Sequence, residues 1–194
     1  MPQPDREEIL GRLELIDRMA SEGRQTTQRW GWVFVLWGFG PLAGMWWESY
    51  GPHPEWAWPL ILLICVLVNG IVIQTRKRQG EARTTLTRSV AAVWGSAGIA
   101  VFVLTAGEIF SRAVDLRAFL AALFAIAACA HSASSAILRW PLQRLAALVW
   151  WASTLAAFVL PVTELHALAA AALLLGNVAF GACLAYREWS HRDE

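Results

Sequence analysis

Residues 129–137 read "CAHSASSAI", and His131 there precedes Ser134 and Ser135 by three and four positions. On a helix that spacing puts the imidazole and both hydroxyls on one face. An imidazole beside hydroxyls is the raw material of acyl transfer. That chemistry needs the serine across from the ring and a carboxylate behind it, whereas these serines lie alongside and the surrounding apolar stretch contains no acid. No catalytic residue is assigned. The stretch reads instead as an uncharged histidine bonded to a neighbouring helix, with Asn69 and Asn177 as its partners, or as the wall of a solute pocket. An ionisable side chain inside an apolar segment is a functional candidate by default. A haem would call for an axial ligand and commonly two, and only one histidine lies deep in an apolar run.

A second set gathers between the apolar runs: Glu48, His53, Glu55, Glu108, Asp115, Glu164 and His166, ringed by Trp46, Trp47, Trp56 and Trp58. Carboxylates and imidazoles are ligands for a cation, but "HPE" and "ELH" have no metal-binding spacing. They read as solvated loop ends, so no metal and no cofactor are expected. Cys65, Cys129 and Cys183 each fall inside an apolar run, where a thiol acts as a small hydrophobe. No phosphate loop, dinucleotide fingerprint or nucleic-acid module appears.

What must position these residues is a set of long apolar helices. The 194 residues are 57% hydrophobic and only 16% charged, with a mean hydropathy of +0.44, too apolar for an ordinary soluble domain. Six segments free of Asp, Glu, Lys and Arg are long enough to cross a bilayer: 30–47, 58–74, 89–107, 118–138, 145–162 and 165–186. The expected fold is an all-α integral membrane protein, with a six-helix bundle at 30–186, a cytoplasmic amphipathic helix at 1–29 and a cytoplasmic tail at 187–194. The first apolar run follows a charged segment and lacks a small-residue cleavage pattern, so the amino terminus is expected to be retained.

Cytoplasmic loops collect Lys and Arg. Placing "TRKRQGEARTTLTR" inside puts fourteen of the sixteen basic residues on one side and leaves only Arg112 and Arg117 outside. Six crossings then return both termini to the cytoplasm. Fifteen arginines against one lysine point to a bacterial chain and hence to the inner membrane.

Eight of the twelve tryptophans, Trp30, Trp32, Trp46, Trp47, Trp56, Trp58, Trp140 and Trp189, fall where an interfacial belt is expected. Trp37, Trp94, Trp150 and Trp151 lie deeper, six to eight residues past Arg29, Arg88 or Arg144, which is about 9 to 12 Å at helical rise. Setting "RSVAAVWGSAGIAVFVLTAGE" over "RLAALVWWASTLAAFVLPVTE" gives nine identities in 21 positions at an offset of 56. Three helical hairpins related by a pseudo-repeat of that length follow. Small residues mark the expected contact faces: Gly40 and Gly44, Ala91, Gly95 and Gly98, Ala118 to Ala125, and Ala172, Gly176 and Gly181. The same residues could face a second protomer.

The head, "PDREEILGRLELIDRMASEG", repeats apolar residues at Ile9, Leu13, Ile16 and Met19, the pattern of an amphipathic helix. Residues 1–29 hold six acids against five arginines, which disfavours simple docking on anionic lipid and favours contact with the bundle, a second protomer or another protein. The run "LELIDRMASEGRQTTQRWGWVFVLWG", a charged head entering a Trp-Gly first helix, resembles a family of uncharacterised bacterial six-helix inner-membrane proteins, often encoded beside small winged-helix regulators. That resemblance implies a signalling or accessory role. Six helices in so short a chain also resemble the substrate-capture subunits of vitamin uptake systems. The leading expectation is therefore a non-enzymatic inner-membrane accessory or signalling protein that makes protein contact through its head. A second is a small-solute binding or transport protein whose pocket between hairpins is lined by Trp37, Asn69, Trp94, His131, Trp150 and Asn177. A third is a membrane enzyme or metal site on the outer face. The bilayer is the expected partner, with a protein partner at the head and a homo-oligomer also allowed, and nucleic acid excluded.

Overall fold

A computed structural model describes residues 10–15, 17–19, 21, 30–78, 85–111 and 114–190. Among the described residues every regular element is a helix and none is a strand. We label them α1 (Gly31–Tyr50), α2 (Ala57–Arg78), α3 (Thr85–Ser111), α4 (Leu116–Leu138), α5 (Pro141–Val159), α6 (Leu165–Leu173) and α7 (Phe180–Ser190). The last two are joined without a break by a π-helical segment, Leu174–Ala179.

Five stretches are long and apolar enough to span a membrane: Pro54–Thr75, Leu86–Ser111, Leu116–Leu138, Pro141–Val159 and Val162–Arg187. The chain is thus a multi-pass membrane protein of helices. In lipid this architecture is forced, because every backbone N–H and C=O must be satisfied within its own segment. α1 is not among the five. Eight of its 20 residues are Gly or Trp, which contribute little to hydropathy although both are common in membrane helices. Pro41 sits inside it, a position tolerated where neighbouring helices take up the freed carbonyl.

Packing runs in the order α2, α1, α6–α7, α5, α4, α3. Close approach is made by glycine at α1. A Cβ on Gly31 would strike the Gly181 carbonyl and Leu184, and one on Gly38 would strike Val178 and Asn177. On the other face, Gly40 meets the Cys65 thiol and Gly44 the Trp58 ring, so that pair serves the α1–α2 contact. Gly95 and Gly98 on α3 differ from the contact role expected of them: nothing lies within 4 Å of the space their Cβ would fill. α3 turns its small residues outward and packs on α4 along another face.

Helix ends follow local chemistry. Asp115 caps α4, its carboxylate accepting from the backbone N–H of Arg117 at 3.1 Å and Ala118 at 3.4 Å. Arg139 ends α4 in the left-handed region (φ 47°), after which Pro141 opens α5 at its first position. Thr163 lies in a 3₁₀ turn, Val162–Glu164, and Glu164 precedes α6 without a side-chain cap bond.

The core has two layers along the bundle. Near the Asp115 end, Ala121, Phe124, Ala128, Trp150, Ala157, Leu165, Ala169 and Ala172 pack together from α4, α5 and α6. Toward the Arg139 end, Phe34, Val90, Leu138, Trp140, Ala146, Phe180 and Leu184 form the second layer, with Trp94 against it. Alanine dominates the first layer because it lets helices approach closely where lipid offers them no hydrophobic incentive to associate.

Candidate functional site: a buried histidine in an aromatic box

α4 places His131, Ser134 and Leu138 at i, i+3 and i+7, and all three side chains are 0% exposed. Rings from three other helices close on the imidazole. Trp94 of α3 stands edge-on at 4.9 Å between centroids, Phe180 of α7 edge-on at 5.2 Å, and Phe34 of α1 tilted at 5.6 Å. Phe34 in turn holds Trp94 and Phe180 edge-to-face, each at 5.0 Å. T-shaped pairs at these spacings are favourable beyond the area they bury.

Several polar atoms buried toward this end of the bundle have no partners among the described residues. Both ring nitrogens of His131, the Ser134 hydroxyl, and both amide atoms of Gln143 on α5 are buried without a hydrogen bond. The indole N–H groups of Trp94, Trp32 and Trp150 share that condition. An unmet buried donor or acceptor costs about 1–3 kcal/mol. The expectation that Asn69 or Asn177 bonds His131 is not met. Asn177 Nδ2 donates to the Trp37 carbonyl at 3.2 Å, the Asn69 amide oxygen has no bond on α2, and aromatic rings occupy the approach to the imidazole.

The neighbouring hydroxyls are engaged. Ser135 donates to the Trp140 carbonyl at 3.3 Å, Thr154 to the Trp150 carbonyl at 2.9 Å, and Ser132 accepts from the Trp151 indole at 3.1 Å. Among the described residues no acid bonds His131, so the carboxylate–imidazole pairing of a catalytic triad is not formed by them.

Of the six residues expected to line one pocket, the structure brings together Trp94 with His131, and Trp37 with Asn177 through the Trp37 backbone. Trp150 lies in the other core layer, tilted on Phe124 at 5.7 Å and against Gly176 of the π-helical segment. Asn69 stays apart on α2. Trp140 departs from its expected belt position: it is buried, 6.2 Å from Phe180, because the sharp turn at Arg139 folds it back under the bundle. Trp151, grouped with the deep indoles, faces outward.

Sequence reasoning did not single out Gln143, Phe34 and Phe180. Gln143 follows a proline between two arginines and looks like a polar residue at a membrane boundary. Its signal was helical phase: Ala146 and Ala147, three and four residues on, are both buried. The π-helical segment, a form frequent at functional sites, coincides with the Gly-Asn pair that interrupts an otherwise apolar run.

At the opposite end, the acids hold loops together. The Trp58 indole donates to Glu48 at 2.9 Å, the Val114 N–H to Glu108 at 3.1 Å, and the Arg117 guanidinium to the Ala157 carbonyl. His53 and Glu55 pair at 3.2 Å, both exposed. Glu164 and His166 are exposed, and among the described residues no three His, Cys, Asp or Glu side chains gather as metal ligands.

The described part of the head is helical at residues 10–15 and 17–19. Asp17 accepts from Arg139 at 3.1 Å, tying the head to the α4–α5 turn. Leu10 and Leu13 are 56% and 47% exposed. Ile9 and Ile16 of the expected apolar stripe, the loop 79–84 and the tail 191–194 lie outside the described residues. No family model, curated protein or solved structure matches the chain.

Proposed function

We propose that the protein is a non-enzymatic accessory or signalling component of a bacterial inner membrane, which uses its N-terminal helix to hold another protein. The observation that carries this reading is the head, anchored at Asp17–Arg139 yet leaving Leu10 and Leu13 uncovered. Large apolar side chains exposed on an anchored helix are what a partner helix or groove would bury. The near-balance of acids and arginines in residues 1–29 favours a protein over anionic lipid as that partner.

The reading includes six crossings, with α1 as the first and both termini in the cytoplasm. At 20 residues α1 is about 30 Å long, the thickness of the hydrocarbon. It runs antiparallel to both α2 and α7, as the glycine contacts at its two ends require, and fourteen of sixteen basic residues then face one side. A repeat relating α3 to α5 is supported by Trp94 and Trp150, which stand at equal distance from Arg88 and Arg144 and both present an unpartnered indole N–H to the core.

The test is affinity capture in mild detergent with the full chain and with residues 1–24 deleted. Both forms should insert, and a stoichiometric protein partner should be held by the full chain alone. Equal capture by the two forms, or capture of nothing by either, would refute the proposal.

A further inference from the structure

The unpartnered polar atoms at the Arg139 end form a set with its own logic, independent of the head. His131 and Ser134 share one face of α4. Gln143 opens α5 and, like them, is 0% exposed. α4 and α5 are antiparallel across the Arg139 turn, so residue 143 stands level with about residue 136. At helical rise that is about 3 Å along the axis from Ser134 and about 7 to 8 Å from His131. The three side chains thus lie along one short stretch of the α4–α5 contact, and none of them bonds another.

The chemistry of the set is balanced. An uncharged imidazole has one donor and one acceptor, a serine hydroxyl has both, and a glutamine amide has both. The rings packed on the imidazole are uncharged and no acid or base among the described residues bonds it, which favours an uncharged guest, and a single histidine makes no metal site. The walls are the rings of Phe34, Trp94 and Phe180. Buried polar groups take up water where two to four partners converge, whereas apolar surroundings stay dry, and five side-chain atoms here have no bond among the described residues.

We propose that His131, Ser134 and Gln143 form a buried binding site for a small uncharged guest that offers hydroxyl or carbonyl oxygen. Water drawn into the bundle and a membrane-soluble organic molecule share that chemistry.

The experiment uses the full chain in nanodiscs with ¹⁵N-labelled histidine. Water-edited solid-state NMR asks whether magnetisation passes from water to the His131 ring, and mass spectrometry of the same sample asks whether an organic molecule is carried at one copy per chain. Transfer to the ring supports the site with water as its guest. A dry ring with a stoichiometric organic molecule supports it with the membrane as the source. In either case Ser134→Ala, which removes one oxygen and little volume, should at least halve the signal or the occupancy, and Gln143→Leu should abolish it. A dry ring with no such molecule, or a signal that both variants leave unchanged, overturns the proposal. Melting temperature gives a further check should Gln143→Leu insert poorly: with a guest present Ser134→Ala lowers it, and a rise would mean that the polar atoms are empty and the site does not exist.

Discussion

α2 and α3 are built differently from α4, α5 and α6–α7. In the spanning windows of the first pair 11% and 6% of residues are buried, against 44%, 39% and 33% in the other three. Yet α2 is the most hydrophobic of the five. In water that would be a contradiction. In lipid it is the expected order, because an apolar side chain gains little by leaving the acyl chains for another helix. Leu63, Ile64, Leu67 and Ile71 of α2, and Ile99, Phe102 and Val103 of α3, accordingly face outward. The inner helices are held by small residues and ring contacts, so hydropathy and burial separate: the two least hydropathic spans, α4 and α5, are the most buried, and α6–α7 is well buried although more hydropathic than α3.

Five substitutions would break or sharpen that contrast. The largest effect is expected at Trp150→Ala, which opens a cavity between Phe124 and Gly176 and should cost about 3–5 kcal/mol. Phe102→Ala, of comparable apolar loss but on the outer face of α3, should shift thermal unfolding in the same detergent by far less. Equal losses would mean that α3 is covered by something other than lipid. Next is Gly181→Leu, whose side chain would meet the Gly31 carbonyl and Phe34. Overpacking of that kind costs about 1–3 kcal/mol or more, while Gly95→Leu, which meets nothing, should leave the melting temperature unchanged. A drop at Gly95 would place another helix against α3. Smallest is Asp115→Ala at the joint of the two regions, where loss of the carboxylate oxygen that accepts from two backbone N–H groups should cost about 1 kcal/mol, read as a modest fall in melting temperature with helical content preserved.

Much of the scaffold was legible because the bilayer demands long uncharged helices, and five of those stand out by length and hydropathy alone. The candidate site was legible only in pieces. His131 announced itself as an ionisable side chain in an apolar run, and Trp94 as a deep indole, but their meeting depends on how α3 leans on α4, which no local pattern records. Trp140 has the composition of an interface, a tryptophan beside an arginine and a proline, yet it is buried against Phe180 just after the left-handed Arg139. Gly95 and Gly98 meet no neighbour within the chain for a related reason: a small-residue stripe permits close approach without saying which neighbour takes it.

The π-helical segment also sets a phase. Its wider turn accommodates one residue more than an α-helix of the same rise, so everything beyond Ala179 is rotated by about 100° from where regular winding from Leu165 would put it. Phe180 reaches the His131 ring, and Gly181 reaches Gly31, because of that rotation. Winding the same residues as a regular α-helix would swing both contacts away together, whereas deleting one residue between Leu174 and Ala179 would remove the wide turn and leave both in phase. The lock on α1 and one wall of the aromatic box thus share a common angular origin, one residue in length.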